Sequence, residues 1–267
     1  MKPAIDLNYE TPVDAALQGW LENLDSTLQA ALQMTAGDTA AGILDLKSGR
    51  LAMVRPDHLQ YAASVAKIGI LLAWFDTHPK TASQVDLQTE HELGLMIKAS
   101  SNEMAAKFSR ELGLMNIQTI LNRHGFYNKE HGGGLWVGRH YGQSGERYGD
   151  PIADHSHAAT VRQLLRFYLL LEQGTLLSST ASAAMARVFE SPEIAHDDIK
   201  FVKALRGRAD LRIHRKWGTW EDWRHDTAAI AGPGRHYILV ALTHHPRGDE
   251  YLEQLAAAVD DKLASDL

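Results

Sequence analysis

Strand-forming runs stand at both ends of this chain, with a long helical stretch between them. Near the start, residues 13–33 repeat apolar side chains at helical spacing (Val13, Leu17, Trp20, Leu21, Leu24, Leu28, Leu32). Two short apolar runs follow, 39–45 and 50–55, joined by a hairpin-type turn at Lys47-Ser48-Gly49. Towards the end, residues 211–220, 227–231 and 237–243 read as strands, the last two separated by Gly232-Pro233-Gly234, and 250–263 as a closing helix. Runs so far apart in sequence can share a core by joining one sheet. The expected fold is therefore α/β plus an all-α lobe: an antiparallel sheet flanked by the N- and C-terminal helices, with the helical stretch inserted. Residues 1–60 and 205–267 would form a discontinuous α/β lobe and 61–204 a helical lobe, with a cleft between them.

Helical periodicity marks 91–98, 102–112, 115–124 and 158–173, whereas 128–150 is rich in Gly, Tyr and charge and reads as a loop. With 267 residues, 45% hydrophobic and 22% charged, the chain has the composition of an ordinary globular protein and can bury a sizeable core. A formal charge of −6 argues against a general nucleic-acid partner. No apolar run approaches the roughly 20 residues of a membrane span. Cysteine is absent, which excludes disulfides, thiol catalysis and thiolate metal sites.

The strongest chemical signal is Ser64-Val65-Ala66-Lys67 opening the apolar run Ile68-Gly69-Ile70-Leu71-Leu72-Ala73-Trp74-Phe75. Three residues apart on a helix, hydroxyl and amine share a face. A serine needs a base to become a nucleophile, and a lysine serves only when burial or nearby cations keep it neutral. Here the apolar run supplies burial, and the helix N-terminus favours an oxyanion beside the serine. Two further signals follow in order: Ser100-Ser101-Asn102 before a helix, and Lys216-Trp217-Gly218-Thr219 on the first late strand.

With these three motifs the chain resembles the serine β-lactamase and penicillin-binding superfamily, most closely its class A-like branch. The likeness runs from the first helix to the last and includes Tyr61-Ala62-Ala63 before the serine, His225-Asp226 and the strand 239–243. It implies an acyl-enzyme on Ser64, with Lys67 as general base. Ser100 would pass a proton to the leaving group, and Lys216 would set that hydroxyl's electrostatics and attract a substrate carboxylate while lowering Lys67. Asn102 would bind the substrate's acylamide and position Lys67. The backbone N–H groups of Ser64 and Thr219 would form the oxyanion hole, and Gly218 would let substrate approach the strand. The resemblance implies no cofactor, a small-molecule substrate (β-lactam, peptide or ester), a monomer, and a periplasmic or secreted protein. Met1-Lys2-Pro3-Ala4-Ile5-Asp6 shows no secretion signal, which leaves the cytoplasm open if that N-terminus is native.

Each position also has a plainer reading. Ser100 and Glu103 spell a capping box, Asn102 suits a turn, Lys216 an edge strand and Gly218 a bulge. The chain also departs from the family. Its loop lacks the Glu-x-x-Leu-Asn that activates the deacylating water; only Glu130 and Glu146 stand there, each in the wrong context. Trp217 replaces a hydroxyl residue and, with Trp220 and Trp223, either lines the cleft or packs the core. Ser101 replaces Asp. The fourteen histidines, densest at Asp154-His155-Ser156-His157 and His244-His245, lack zincin spacing, so no metal is expected. Gly142-Gln143-Ser144-Gly145 falls short of a nucleophile elbow. Besides a β-lactamase-like hydrolase, a D-alanyl-D-alanine carboxypeptidase, an esterase, and a sensor or non-catalytic relative without turnover stay open, as does a histidine-dependent metallohydrolase.

Overall fold

The computed structural model describes residues 5–79, 84–142, 144–208 and 210–265. Helix α1 (Ala15–Leu32) leads into strands β1 (Thr39–Asp45), β2 (Arg50–Val54) and β3 (Gln60–Tyr61). Helices α2 (Lys67–Thr77), α3 (Leu87–Ile97), α4 (Asn102–Leu112) and α5 (Leu114–Arg123) follow, then short strands β4 (Tyr127–Asn128), β5 (Gly133–Gly134), β6 (Trp136–Val137) and β7 (His157–Ala159). The chain continues through α6 (Val161–Glu172), α7 (Ser179–Glu190) and α8 (Lys200–Ala204). It closes with β8 (Arg212–Trp220), β9 (Trp223–Gly232), β10 (Arg235–His244) and α9 (Gly248–Ser265).

Both ends of the chain do share one sheet. Its order is β2-β1-β10-β9-β8, antiparallel throughout, and the join is β1 against β10, with Gly42 opposite Val240. Successive side chains of a strand point to opposite faces, so a sheet covered on both sides needs apolar residues at every position. All seven residues of β1 are buried. Ala41, Ile43, Ile230, Leu239 and Ala241 pack with Leu17 and Leu21 of α1, Phe201 of α8 and Leu255 of α9. Ala40, Leu44, Ile238 and Val240 turn the other way, onto the core built by α2 and α6. There α6 lies so close to β1 that a Cβ on Gly42 would fall 2.6 Å from Leu165 and 2.7 Å from Val161. Only glycine fits.

Helix α2 is apolar all round, and every residue from Lys67 to Phe75 is buried, which makes it the central helix of its side. The stretch read as one loop carries β4, β5 and β6, and β6 joins β3 and β7 in a small sheet of its own. Residues 158–159, expected at the start of a helix, are strand: Gln60 and Tyr61 on one side and Trp136 and Val137 on the other satisfy their backbone, and α6 starts at Val161. No described helix is long and apolar enough to cross a membrane. Residues 1–4, on which the signal-sequence reading rests, and Gln143 lie outside the described residues.

Candidate active site

Ser64 stands in a tight turn, Ala63–Ala66, that runs directly into α2, whose first residue is Lys67. The turn is held from two sides. Ala63 adopts φ +45°, and its carbonyl accepts a hydrogen bond from the Tyr141 hydroxyl at 2.8 Å. Before it, the Tyr61 carbonyl accepts from His225 Nε2 at 2.7 Å. His225 Nδ1 accepts from the Thr243 N–H at 3.2 Å, so the proton must reside on Nε2. Burial pushes this imidazole down to about 3, which keeps it neutral.

Lys67 is fully buried, and its Nζ donates to the Ser100 carbonyl at 2.5 Å and to Asn102 Oδ1 at 2.8 Å, with Ser100 Oγ at 3.3 Å. The amine also lies 4.6 Å above the Tyr141 ring. Burial lowers Lys67 from 10.5 to about 7, and no carboxylate among the described residues pairs with it to restore the charge. Lys216, also fully buried, donates to Ser100 Oγ at 2.9 Å and to the Trp217 carbonyl at 2.7 Å. Burial, and then the neighbouring charge of Lys67, drives it well below its ordinary value. Burial is the cause that lowers Lys67, and the repulsion between the two amines shows on Lys216.

The capping box does not form at Ser100. Ser101 caps α4 instead, its hydroxyl accepting from the Met104 N–H at 3.2 Å. Ser100, at φ +56°, is left to face the two lysines. Across from it, β8 is an edge strand, and the two-residue turn Glu221-Asp222 makes Trp220 and Trp223 its closing pair with β9. In such a hairpin hydrogen-bonded pairs alternate, so Gly218 bonds His225 across the ladder and the Thr219 N–H points outward at the open edge. Ser64 sits against that edge: a Cβ on Gly218 would lie 3.0 Å from the backbone nitrogens of Ser64 and Val65. Ser64, Lys67, Ser100, Asn102, Lys216, Gly218 and Thr219 are thus gathered at one place.

Trp217 stands differently. Its ring centroid lies 4.9 Å from Lys216 Nζ and 5.2 Å from Lys200 Nζ, and its indole N–H has no partner among the described residues. Trp220 is the tryptophan that reaches the open cleft. Lys200 was not singled out from sequence, because nothing in Ile199-Lys200-Phe201 distinguishes a buried lysine from an exposed one. Its Nζ donates to the Gly218 carbonyl and Thr219 Oγ1, both at 2.7 Å, and to the His225 carbonyl at 3.1 Å. Tyr141 was missed for a similar reason: its partner is a backbone carbonyl.

The cleft beside Ser64 encloses about 380 Å³ and is lined by Asn102, Thr219 and Trp220, with Tyr61, Arg139, His140, Tyr141 and His157 on the loop side. No carboxylate lines it among the described residues. Glu130 and Glu146 are exposed, Glu146 being held by the Tyr148 hydroxyl. Burial presses His157 down to about 3, and no described group of three or more His, Cys, Asp or Glu could hold a metal.

A family model described as the beta-lactamase enzyme family matches residues 77–264, a span that begins after Ser64 and Lys67. No curated protein matches the sequence. Among solved structures, the chain is similar to a beta-lactamase from Sphaerobacter thermophilus (TM-score 0.70, 16% identity, 91% of this chain and 98% of that one). It is similar to a class A beta-lactamase from Mycobacterium abscessus (0.70, 19%, 90% and 98%). A mutant of PBP-A, solved as an acyl-enzyme complex with penicillin G, gives 0.70 at 18% identity, covering 92% and 97%. At these identities the likeness is one of fold.

Proposed function

The chain belongs to the beta-lactamase enzyme family, and we propose that it is an active-site serine hydrolase forming an acyl-enzyme on Ser64 from β-lactams or related amides and esters. The observation that carries this reading is Lys67: a buried amine lowered to about 7, one helical turn from a serine and hydrogen-bonded to Ser100 and Asn102. Near neutral pH it takes a proton from Ser64 as the hydroxyl attacks a carbonyl, giving a tetrahedral oxyanion and then the ester. The oxyanion meets the N–H groups of Ser64 and Thr219. Ser100, bonded to Lys216, delivers the proton to the departing nitrogen or oxygen. Asn102 binds the acylamide, and Gly218 lets the substrate lie along β8.

The lining of the cleft, aromatic and without a carboxylate among the described residues, favours slow release of the acyl group, because water must then be activated by a weaker base. This supports a second reading within the same chemistry, a D-alanyl-D-alanine carboxypeptidase, an esterase, or a relative that is acylated and stays so. The substrate is a small molecule, and the protein acts as a monomer without cofactor. The test is a chromogenic cephalosporin assay with intact-protein mass spectrometry on wild type and Ser64→Ala. The expected result is a covalent adduct on wild type alone; an adduct or turnover surviving in Ser64→Ala sinks the proposal.

A further inference from the structure

Resting on that reading, we infer that Tyr141 and Lys200 are positioning residues that polarise, from behind, the two peptide groups whose N–H bonds face the oxyanion. A peptide is one planar unit, and in its trans form the N–H points away from the C=O. No cis peptide occurs among the described residues. The N–H of Ser64 belongs to the same peptide as the Ala63 carbonyl, and the N–H of Thr219 to the same peptide as the Gly218 carbonyl. Each of those carbonyls carries a buried donor from a distant part of the chain: the Tyr141 hydroxyl on Ala63 at 2.8 Å and the Lys200 ammonium on Gly218 at 2.7 Å.

Hydrogen bonds in series strengthen one another, because electron density drawn toward the carbonyl oxygen leaves the N–H more positive. The effect is largest where water is excluded, and both donors are buried: Tyr141 is 7% exposed and Lys200 1%. Gly218 is the more heavily loaded of the two, since its carbonyl already meets His225 across the ladder. Both donors hold their protons at neutral pH. Burial raises the Tyr141 hydroxyl well above 10. Burial lowers Lys200 to about 8, with Asp226 and Asp249 opposing and Arg215 and Arg224 adding to the fall.

The backbone around both contacts is bent to make them. Ala63 and Lys200 sit at φ +45° and +54°, a region that residues with side chains rarely enter. All three donor directions of the Lys200 ammonium end on Gly218, Thr219 and His225, while the nearest carboxylate oxygen, on Asp249, stands off at 3.7 Å. The ammonium is therefore spent on the strand that carries the N–H, and none of it is held for a substrate anion.

Tyr141→Phe and Lys200→Met each remove the donor and keep the shape. Loss of a whole oxyanion donor costs about 10²–10³ in rate, so weakening one is expected to slow acylation about tenfold. Acylation by benzylpenicillin and by p-nitrophenyl acetate is followed by mass spectrometry. The acyl carbonyl is read by infrared difference spectroscopy, and binding of unreacted ligand is measured separately. The expected result is slower acylation with unchanged binding and an acyl carbonyl stretch at higher wavenumber in both variants. An unchanged stretch, with or without a slower rate, overturns the inference while leaving Ser64 chemistry intact. Absence of any Ser64-dependent adduct on wild type overturns the acyl-enzyme reading and this inference with it. Should Lys200→Met fail to fold, Tyr141→Phe decides alone, since it removes one oxygen from a ring that stays stacked on His157.

Discussion

Lys67 and Lys216 are two basic side chains that share one hydroxyl, Ser100, and neither amine bonds a carboxylate among the described residues. Both cannot easily be charged, and the amine of Lys67 sits at about 7, half neutral at physiological pH. Acylation by the wild type is therefore expected to rise with pH through about 7 and then level off. Lys67→Met should lose that limb and about 10²–10⁴ in rate, as removal of a general base does. The same shift acts on folding with a definite sign. Between 7 and 10.5 the unfolded chain holds a proton on this lysine that the folded chain has released, so Lys67 makes stability rise with pH across that window. At pH 6 Lys67→Met should melt at a higher temperature than wild type, and a lower melting temperature there would contradict the account. The residues of this pair were legible because helical spacing and chain order expose side chains that act on side chains. Tyr141 and Lys200 act on backbone carbonyls, and no spacing rule records that.

At the scale of elements, β8 and β10 are tied to α6 and α7 by charge. His214 on β8 is bonded by Nδ1 to Glu172 of α6 at 2.7 Å and by Nε2 to Glu190 of α7 at 2.9 Å, and His236 of β10 reaches Glu172 at 2.9 Å. Burial pushes Glu172 up, but hydrogen bonds from His214 and His236, with the charges of His214 and Arg212, outweigh it and hold the carboxyl far below 4.5. A carboxyl depressed in the folded state stabilises it above the unfolded value and loses that contribution as pH falls below it. Glu172→Gln is expected to cost about 3 kcal/mol at pH 7, read from urea unfolding, because it strands two histidines and an arginine. The deficit should shrink as pH drops below 4.5, and a deficit constant with pH would show packing rather than charge. These tertiary ties also explain which elements the sequence concealed. The β1 and α4 boundaries follow from a continuous apolar run and from a hydroxyl before a helical run. Helix α8, five residues long, is too short to show a period and is fixed by Asp226, which accepts from the Phe201 N–H at 3.0 Å. His157-Ala158-Ala159 has the small residues of a helix start and is drawn into a sheet only by its neighbours β3 and β6.

For the whole molecule, closing the sheet with β1 against β10 leaves β8 as a free edge, and the serine turn docks on that edge. The order of strands and helices made this arrangement readable, since both chain ends carry long strand-forming runs while the middle reads mainly as helix. The loop over the cleft was not readable beyond the absence of a motif, because its contributions come from residues far apart, Arg139 to Tyr141 and Ser156 to His157. What those residues bring has a kinetic consequence. The cleft offers histidine, tyrosine and arginine, and His157, lowered to about 3, is a feeble base. On the proposed reading acylation has Lys67, lowered to about 7, as base and two N–H groups for the oxyanion, whereas no carboxylate among the described residues lines the cleft to order and deprotonate water. The two half-reactions should therefore separate in time. Mixing the protein with excess chromogenic β-lactam in a stopped-flow instrument is expected to give a burst of about one equivalent per chain, followed by a much slower steady phase. Mass spectrometry sampled along the reaction should find the acyl-enzyme as the dominant species throughout the slow phase. Linear product formation without a burst, with free protein dominant, would mean that release outpaces acylation and that another group in the cleft activates water.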